Sequence, residues 1–198
     1  MNIFYLDKDP IVAAKMSCDK HVVKMILESA QMLCTAHRIL DGVEYYDKTA
    51  NGRKIKRWKH PNSNLEAILY KASHVNHPST KWVMDNIFHY TWLFNHMCAL
   101  NDEYKLRYEH TKDHMTLTKL KDILRHTPKN IPVNKVGTDP TPAMPDECKV
   151  PGNSVESYRK YYIMKKRRFA TWKSPAEMPE WYKEGVISMG KVSPEHVR

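Results

Sequence analysis

Residues 19–38 read DKHVVKMILESAQMLCTAHR, and this stretch gives the clearest structural signal in the chain. It contains no Pro or Gly, Asp19 is suited to cap its first turn, and Gly42 is placed to end it, so the stretch predicts a helix over residues 19–40. Most of its circumference is apolar or small, which is typical of a helix enclosed by protein. The residues of that apolar surface are Val22, Val23, Met25, Ile26, Leu27, Ala30, Met32, Leu33, Cys34 and Ala36.

A narrow polar line runs along this helix. Its members recur at steps of three or four residues and are His21, Lys24, Glu28, Gln31, Thr35 and Arg38. Glu28 lies in the middle of the line. Burial disfavours the charged form of a carboxylate and neighbouring cations favour it, and this competition tunes catalytic acids and bases. We interpret the line as functional groups that face a cleft; the alternative is a solvated helix edge on which Glu28 pairs with Lys24.

The composition favours a polyanionic partner. The 198 residues include 32 Lys and Arg against 22 Asp and Glu, which gives a formal charge of +10. Neutralisation of phosphates supplies most of the non-specific affinity of proteins for nucleic acid, so nucleic acid is the expected partner. A basic protein without such a partner is the alternative. Neither GxGxxG nor GxxxxGK[ST] occurs, which argues against a nucleotide-binding fold built on Gly-rich turns.

The thiols and imidazoles do not form a recognisable metal motif. The four Cys residues are scattered without a CxxC pair, and we interpret them as reduced thiols of a cytoplasmic protein without a signal peptide or membrane span. His74 with His77, and His110 with His114, are the candidate metal-binding pairs, but no HExxH motif or Cys/His quartet completes a site. We therefore expect no metal and no cofactor.

The rest of the chain predicts a single, mainly α-helical domain over residues 1–198. A long second helix is predicted over residues 79–108 and a basic last helix over residues 154–170, the latter capped by Ser154. Residues 41–61 are predicted to form a basic excursion. Its Asn51-Gly52 pair marks a turn of the kind that joins the strands of a small hairpin. Six prolines make residues 128–151 an irregular strap, and the tail with Trp181 is expected to be irregular as well.

Two basic segments contain aromatic residues, a combination suited to phosphate contacts and base stacking. The excursion places Arg53, Lys54, Lys56, Arg57 and Lys59 around Trp58. The last helix combines Tyr158, Tyr161 and Tyr162 with Arg159, Lys160, Lys165, Lys166, Arg167 and Arg168. For the excursion, a solvated charged loop is an equal alternative.

The order of these segments resembles a known family. An apolar amino terminus, a helix with the pattern D-x-H-x6-E at Asp19, His21 and Glu28, and a basic last helix followed by a Trp-Tyr tail resemble the phage pyrimidine-dimer DNA glycosylases of the endonuclease V type. The tail pair is matched by Thr171-Trp172 or by Trp181-Tyr182, and Lys165 falls near a DNA-contacting Lys of the family. The match is short.

The resemblance implies a DNA-repair enzyme, a monomer, that binds double-stranded DNA, removes a damaged base and then cleaves the strand. The nucleophile would be the α-amine of the first residue, which alignment on Ile3 and Leu6 brings to Met1. Asn2 is too large for ready removal of the initiator Met. Glu28 would assist proton transfers, and His21 would contact the lesion strand. An α-amine titrates at about pH 8 in peptides, so part of it is neutral and nucleophilic near pH 7.

The chain also departs from the family. Leu27, Gln31 and Asn2 stand where the family has arginines, so the grip on phosphates would come from Lys20, Lys24, Arg38 or the basic excursion. Two alternatives stay open: a glycosylase or modifying enzyme for another DNA base, and a non-enzymatic basic DNA-binding protein. If the source is a virus, the compartment is the host cytoplasm.

Overall fold

The computed structural model describes residues 1–190, and these are mainly α-helical, as predicted. The elements in chain order are α1 Pro10–Met16, α2 Asp19–Asp41, β1 Val43–Lys48, β2 Lys54–Lys59, α3 Ser63–Ile68, α4 Pro78–Asp85, α5 Ile87–Tyr108, α6 Met115–Leu124, α7 Ser154–Tyr161 and α8 Glu180–Ser188. The two strands pair only with each other, so a small sheet accompanies the helices.

Helix α2 is enclosed by the other helices. It packs mainly against α5 and also against α4 and α6, and its apolar side chains are almost completely buried. Buried side chains from Ile3 to Val186 join it in one apolar core. The prediction of an enclosed helix is therefore confirmed. Leu27 is an exception, since 41% of it is exposed.

The first turn of α2 corrects one prediction. Cys18 occupies the N-cap position, and Asp19 is the first helical residue. The Asp19 carboxylate instead joins three elements, because it accepts bonds from the Arg107 guanidinium, the Thr171 hydroxyl and the Lys173 backbone N–H at 3.1, 3.0 and 2.9 Å. Asp19 thus ties the start of α2 to α5 and to the segment after α7. Gly42 ends the helix, as predicted.

Arg107 is the most deeply buried charge in this network. None of its side chain is exposed, and it forms ion pairs with Glu103 at 2.9 Å and Asp19 at 3.1 Å. Its guanidinium also donates to the carbonyl oxygens of Ser17 and Lys15 at 2.7 and 2.9 Å. A buried cation is tolerated only where its donors are satisfied, and here they join α1, α2 and α5.

The predicted second helix is divided in two. The chain is extended at Asn86, with φ −162° and ψ 167°, and this residue ends α4 and caps α5. Its side-chain oxygen accepts from the His89 N–H at 3.1 Å. Asn competes with the helical backbone in this way, so a prediction from apolar spacing alone was wrong about continuity.

The carboxy-terminal part differs from prediction in two respects. Asn153, rather than Ser154, caps α7, and α7 ends at Tyr161 and continues as a π-helical turn, Tyr162–Lys166, instead of an α-helix to residue 170. The tail, predicted to be irregular, contains α8. Amphipathic signal is weak in so short a segment, and α8 is stabilised by the burial of Tyr182 and Val186 in the core.

The excursion and the strap follow their predictions. Residues 43–59 form an antiparallel hairpin in which Val43 pairs with Lys59 and Lys48 with Lys54. The strap contains one short 3-10 turn, Asp146–Cys148, and is otherwise irregular. All four Cys residues are free thiols. Within residues 1–190, no helix has both the length and the apolar character that a membrane crossing requires.

Replacing Arg107 by Ala should lower the free energy of unfolding by about 3–5 kcal/mol, because Glu103, Asp19 and two carbonyl oxygens would lose their buried donors. Urea denaturation followed by circular dichroism measures the loss. Arg125→Ala, at an exposed residue after α6, is the control and should change stability by less than about 0.5 kcal/mol. Equal stabilities of the two variants would contradict the structural role of Arg107.

Candidate active site

The amino terminus meets the central carboxylate of α2. The Met1 α-amine nitrogen lies 3.7 Å from Oε2 of Glu28, and the Lys24 ammonium lies 3.3 Å from Oε1. The Met1 side chain is only 1% exposed, although the residue as a whole is half-buried. The exposed part of Met1 is therefore its main chain, and the apolar side chain anchors the residue. Met1 and Glu28, both predicted as site residues, lie together.

The segment after Met1 is fixed by the strap. The Asn2 side chain donates to the Ala143 carbonyl at 2.8 Å and accepts from the Ile3 and Phe4 N–H groups at 2.7 and 3.2 Å. The Tyr5 hydroxyl donates to Asp139 at 2.9 Å. Two residues of the strap thus hold two residues of the amino terminus. Because these bonds restrain the backbone next to Met1, they also restrain the position of the amine.

Phe4 adopts a strained conformation at this point. Its φ of 56° is in the left-handed region, which non-Gly residues rarely occupy and which costs about 1–2 kcal/mol. The cost is offset by packing, since the ring stacks on His21 with centroids 4.0 Å apart and on Tyr161 at 6.0 Å. After the turn at Phe4, the chain continues into Tyr5 and Leu6, which are also buried in the core.

His21 of α2 packs against this turn through its ring, which stacks on that of Phe4. Its ring is 4% exposed, shares a 2.6 Å hydrogen bond between Nδ1 and the Tyr162 hydroxyl, and contacts the edge of Phe169. Burial, followed by the positive charges of Lys166, Lys24 and Lys20 in that order, lowers the pKa of His21 to about 3. So little exposed surface suits His21 to positioning Phe4 rather than to the direct contact with a lesion strand that the resemblance implies.

A group of cations and aromatic rings borders the amine pair. The Lys166 ammonium lies over Tyr161 at 4.4 Å, Phe4 at 5.6 Å and Phe169 at 5.9 Å, and Lys20 lies over Phe169 at 4.9 Å. Cation–π contacts keep these charges beside apolar rings at the surface. The structure therefore brings Lys20, Lys24 and Lys166 of the predicted DNA-binding residues to the surroundings of Met1 and Glu28.

The other predicted cations near α7 are differently placed. Arg159 donates to the Leu6 carbonyl at 2.9 Å and pairs with Asp7 at 3.4 Å, so it fastens the amino-terminal segment to α7. Lys165 pairs with Glu147 of the strap at 2.7 Å. Arg168 is exposed, and Arg167 is half-buried. Arg159 and Lys165, predicted to bind DNA, therefore stabilise the scaffold around the site through contacts within the protein.

Arg38 corrects the prediction of a phosphate contact. A guanidinium has five N–H donors, and all five bonds of Arg38 are made within the protein. The acceptors are the carbonyl oxygens of Tyr70, Trp58, Glu66 and Leu69 and the Glu66 carboxylate, at 2.6–3.2 Å. Only 4% of Arg38 is exposed. It therefore holds the hairpin and α3 against α2 and has no donor left for DNA.

The sequence did not single out His77 as a neighbour of this site. Its Nδ1 accepts from the Ser79 N–H at 3.1 Å and so caps α4. Burial lowers the pKa of His77, the charges of the Met1 amine and His74 lower it further, and the charge of Glu28 opposes them. The His77-Pro78 dipeptide before a helix is a recognisable capping signal, but nothing local relates it to the amino terminus.

The best candidate metal ligands lie elsewhere. One nitrogen each of His37 and His60 and an oxygen of Asp41 lie within 4.8 Å of one another, beside a cavity of about 640 Å³. The Asp41 oxygens accept from the backbone N–H groups of Lys129 and Asn130 at 2.8 and 2.9 Å. His60 Nδ1 accepts from the Asn62 N–H at 3.1 Å, which places the proton of a neutral ring on Nε2, the nitrogen a metal would need. Asp41 is thus engaged by backbone N–H groups and His37 Nε2 by the Tyr90 hydroxyl at 2.9 Å, whereas His60 Nε2 is buried without a hydrogen-bond partner among residues 1–190.

The His21 ring should stay neutral from pH 8 down to about pH 4, because its pKa is about 3. Since the unfolded state binds a proton at about pH 6.5 and the folded state does not, His21 should oppose folding increasingly as the pH falls below that value. NMR of ¹³C/¹⁵N-labelled imidazoles measures the titration directly. A midpoint of His21 between pH 6 and 7, with the fold intact, would contradict the buried placement; His21→Asn assigns its signal.

Comparison of the chain with protein-family models, curated proteins and solved structures finds no match. The geometry of Met1 and Glu28 therefore supplies the observation from which a function is inferred.

Proposed function

We propose that the protein is a DNA glycosylase with associated abasic-site lyase activity, with Met1 as nucleophile and Glu28 as the acid/base. The observation that carries the proposal is the 3.7 Å separation between the Met1 α-amine and the Glu28 carboxylate, with the Met1 side chain buried and its main chain accessible. A protein amino terminus is ordinarily a loose end. Here it is anchored beside a half-buried carboxylate, as a covalent mechanism through the amine requires.

The chemistry that this pair can perform is imine formation at a deoxyribose. The neutral amine attacks C1′, the glycosidic C–N bond breaks, and the base leaves with the electron pair and takes up a proton. The C1′–O4′ bond then opens, O4′ is protonated, and the amine nitrogen, having lost a proton, forms an imine with C1′. Glu28 is placed to accept the amine proton and to return a proton to the departing oxygen.

Strand cleavage follows from the same intermediate. The imine acidifies the C2′–H bond, so a base can remove that proton and the 3′ phosphate leaves by β-elimination. Water then hydrolyses the imine and restores the amine. Every proton transfer in this sequence is within the capacity of one carboxylate, and Lys24 pairs with Glu28 at 3.3 Å.

The surroundings of the pair are consistent with a nucleic-acid substrate. Lys20, Lys24 and Lys166 give the site positive charge, and phosphate attraction needs no particular base sequence. A nucleotide must leave the duplex before an amine can reach C1′, and this costs less at damaged DNA. We therefore propose damaged duplex DNA as the substrate, with pyrimidine dimers first and abasic sites next, and action in the cytoplasm, that of the host if the source is viral. His21 acts as a positioning residue through Phe4.

The test is borohydride trapping on duplexes that carry a thymine dimer, an abasic site or no damage. Wild-type protein should give a covalent adduct with at least one damaged duplex, because borohydride reduces the imine to a stable amine. Blocking the amino terminus by acetylation should abolish the adduct.

Two variants separate the roles of the pair. One Gly added before Met1 moves the amine by about 3.8 Å while leaving the Met1 side chain in the core, and should lower trapping at least about tenfold. Glu28→Gln should reduce strand scission at least about a hundredfold and keep DNA affinity. Lys121→Gln, an exposed change of a cation on α6, is the control and should alter neither trapping nor strand scission.

The result that would overturn the proposal is a folded protein that forms no adduct with any duplex, or an adduct that survives acetylation. Salt-sensitive DNA binding without any adduct would instead favour a non-enzymatic DNA-binding protein.

A further inference from the structure

Most of the surface of the hairpin of residues 43–59 is left uncovered by the rest of residues 1–190. All six residues of β1 are exposed, including Val43 at 68% and Tyr46 at 58%. A single two-stranded hairpin is marginally stable in water unless a further element packs on it. Here the hairpin is held at its base, where Arg38 of α2 donates to the Trp58 carbonyl at 3.0 Å. Its outer part extends from the protein uncovered.

The charge of the hairpin identifies what could cover it. Its seventeen residues include six cations, Lys48, Arg53, Lys54, Lys56, Arg57 and Lys59, against two acidic residues, Glu44 and Asp47. The acidic residues neutralise little, since Glu44 pairs only with Lys56, at 3.1 Å. Lys54 lies 3.8 Å over the exposed ring of Tyr46. Basic side chains on an uncovered ribbon match a polyanion.

The hairpin is on the same side of α2 as the amine pair. Along the polar line of α2, Glu28 contacts Met1, Thr35 bonds Ser73 through its hydroxyl and the Ser73 N–H at 3.1 Å, and Arg38 bonds the hairpin. A groove of about 610 Å³ lies between residues 55–58 and residues 72–76. The polar line of α2 thus joins the amine pair at one end to the hairpin, beside this groove, at the other.

The distance along this line is set by the helix. Ten residues separate Glu28 from Arg38, which corresponds to about 15 Å at 1.5 Å per residue. The same length of B-DNA contains about four to five base steps at 3.4 Å each. A two-stranded ribbon also has dimensions that the major groove of B-DNA admits.

We infer that the hairpin is a DNA-binding arm that contacts intact duplex on one side of the reacting nucleotide, about four to five base pairs away. This inference rests on the proposed function for the position of the reacting nucleotide. The arm supplies phosphate contacts that Arg38, whose donors are all used inside the protein, does not supply. It extends the interface beyond the cations beside Met1 and lengthens the duplex that the enzyme requires.

The experiment neutralises exposed cations of the arm in Arg53→Gln/Lys54→Gln/Lys59→Gln and compares them with a charge-matched control. The control is Lys112→Gln/Lys121→Gln/Arg125→Gln, three exposed residues in or beside α6. Binding of duplexes with a central abasic site is measured by fluorescence anisotropy between 50 and 200 mM salt. Circular dichroism verifies that both variants fold.

The arm variant should bind at least about tenfold more weakly at the lowest salt, and its salt slope should fall by about one per lost phosphate contact, to a maximum of about three. The control should bind within about twofold of wild type. Shortening the duplex to two base pairs on one side of the abasic site should weaken wild type and abolish the difference between wild type and the arm variant. Shortening the opposite side should leave that difference in place.

Two results would overturn the inference: equal affinities of the arm variant and the control, or a difference that persists whichever side of the duplex is shortened. Equal affinities would leave the ribbon as a surface for another partner. Borohydride trapping at saturating protein keeps this test separate from that of the proposed function. An adduct without any arm effect removes the arm alone, whereas an arm effect on binding without any adduct removes the glycosylase chemistry and retains a DNA-binding arm.

Discussion

A polar side chain buried on an enclosed helix costs free energy unless it is hydrogen-bonded, and this constraint on α2 organises the molecule. Each polar residue along its line that is deeply buried is joined to a different part of the chain. His21 bonds Tyr162 of the π-helical turn, Thr35 bonds Ser73, and Arg38 bonds the hairpin and α3. The line is thus chiefly a set of attachments. Glu28 differs, because its partners are the half-buried Met1 and the exposed Lys24.

The contact between Glu28 and Met1 depends on how the amino terminus is held. The strap, which has little regular structure, holds Asn2 and Tyr5, and the strained turn at Phe4 is supported by His21 and Tyr161. Several elements far apart in sequence therefore cooperate to keep one amine beside one carboxylate. Arrangements of this kind cost free energy, and they persist where the surrounding structure over-determines them. The strained residue, Phe4, lies three residues from the amine and is held by its stacking on His21.

The charges of the protein divide between structure and surface. Arg38, Arg107 and Arg159 are used inside the molecule, where planar guanidinium groups satisfy carbonyl and carboxylate acceptors. Many of the lysines remain exposed, among them Lys20, Lys24 and Lys54. A count of basic residues therefore overstates the charge available to a partner, and the exposed lysines beside the amine pair and on the hairpin carry more weight than the total of +10.

Local patterns in the sequence were enough to predict the enclosed helix α2, its polar line, the Asn51-Gly52 hairpin and the irregular strap. These features depend on local periodicity, turn residues and prolines. The pairing of Met1 with Glu28 was expected only through a short resemblance. Only the folded structure shows the break at Asn86, the presence of α8 and the use of all Arg38 donors. These features depend on contacts between residues distant in the chain, and no local pattern specifies which buried donor will meet which acceptor.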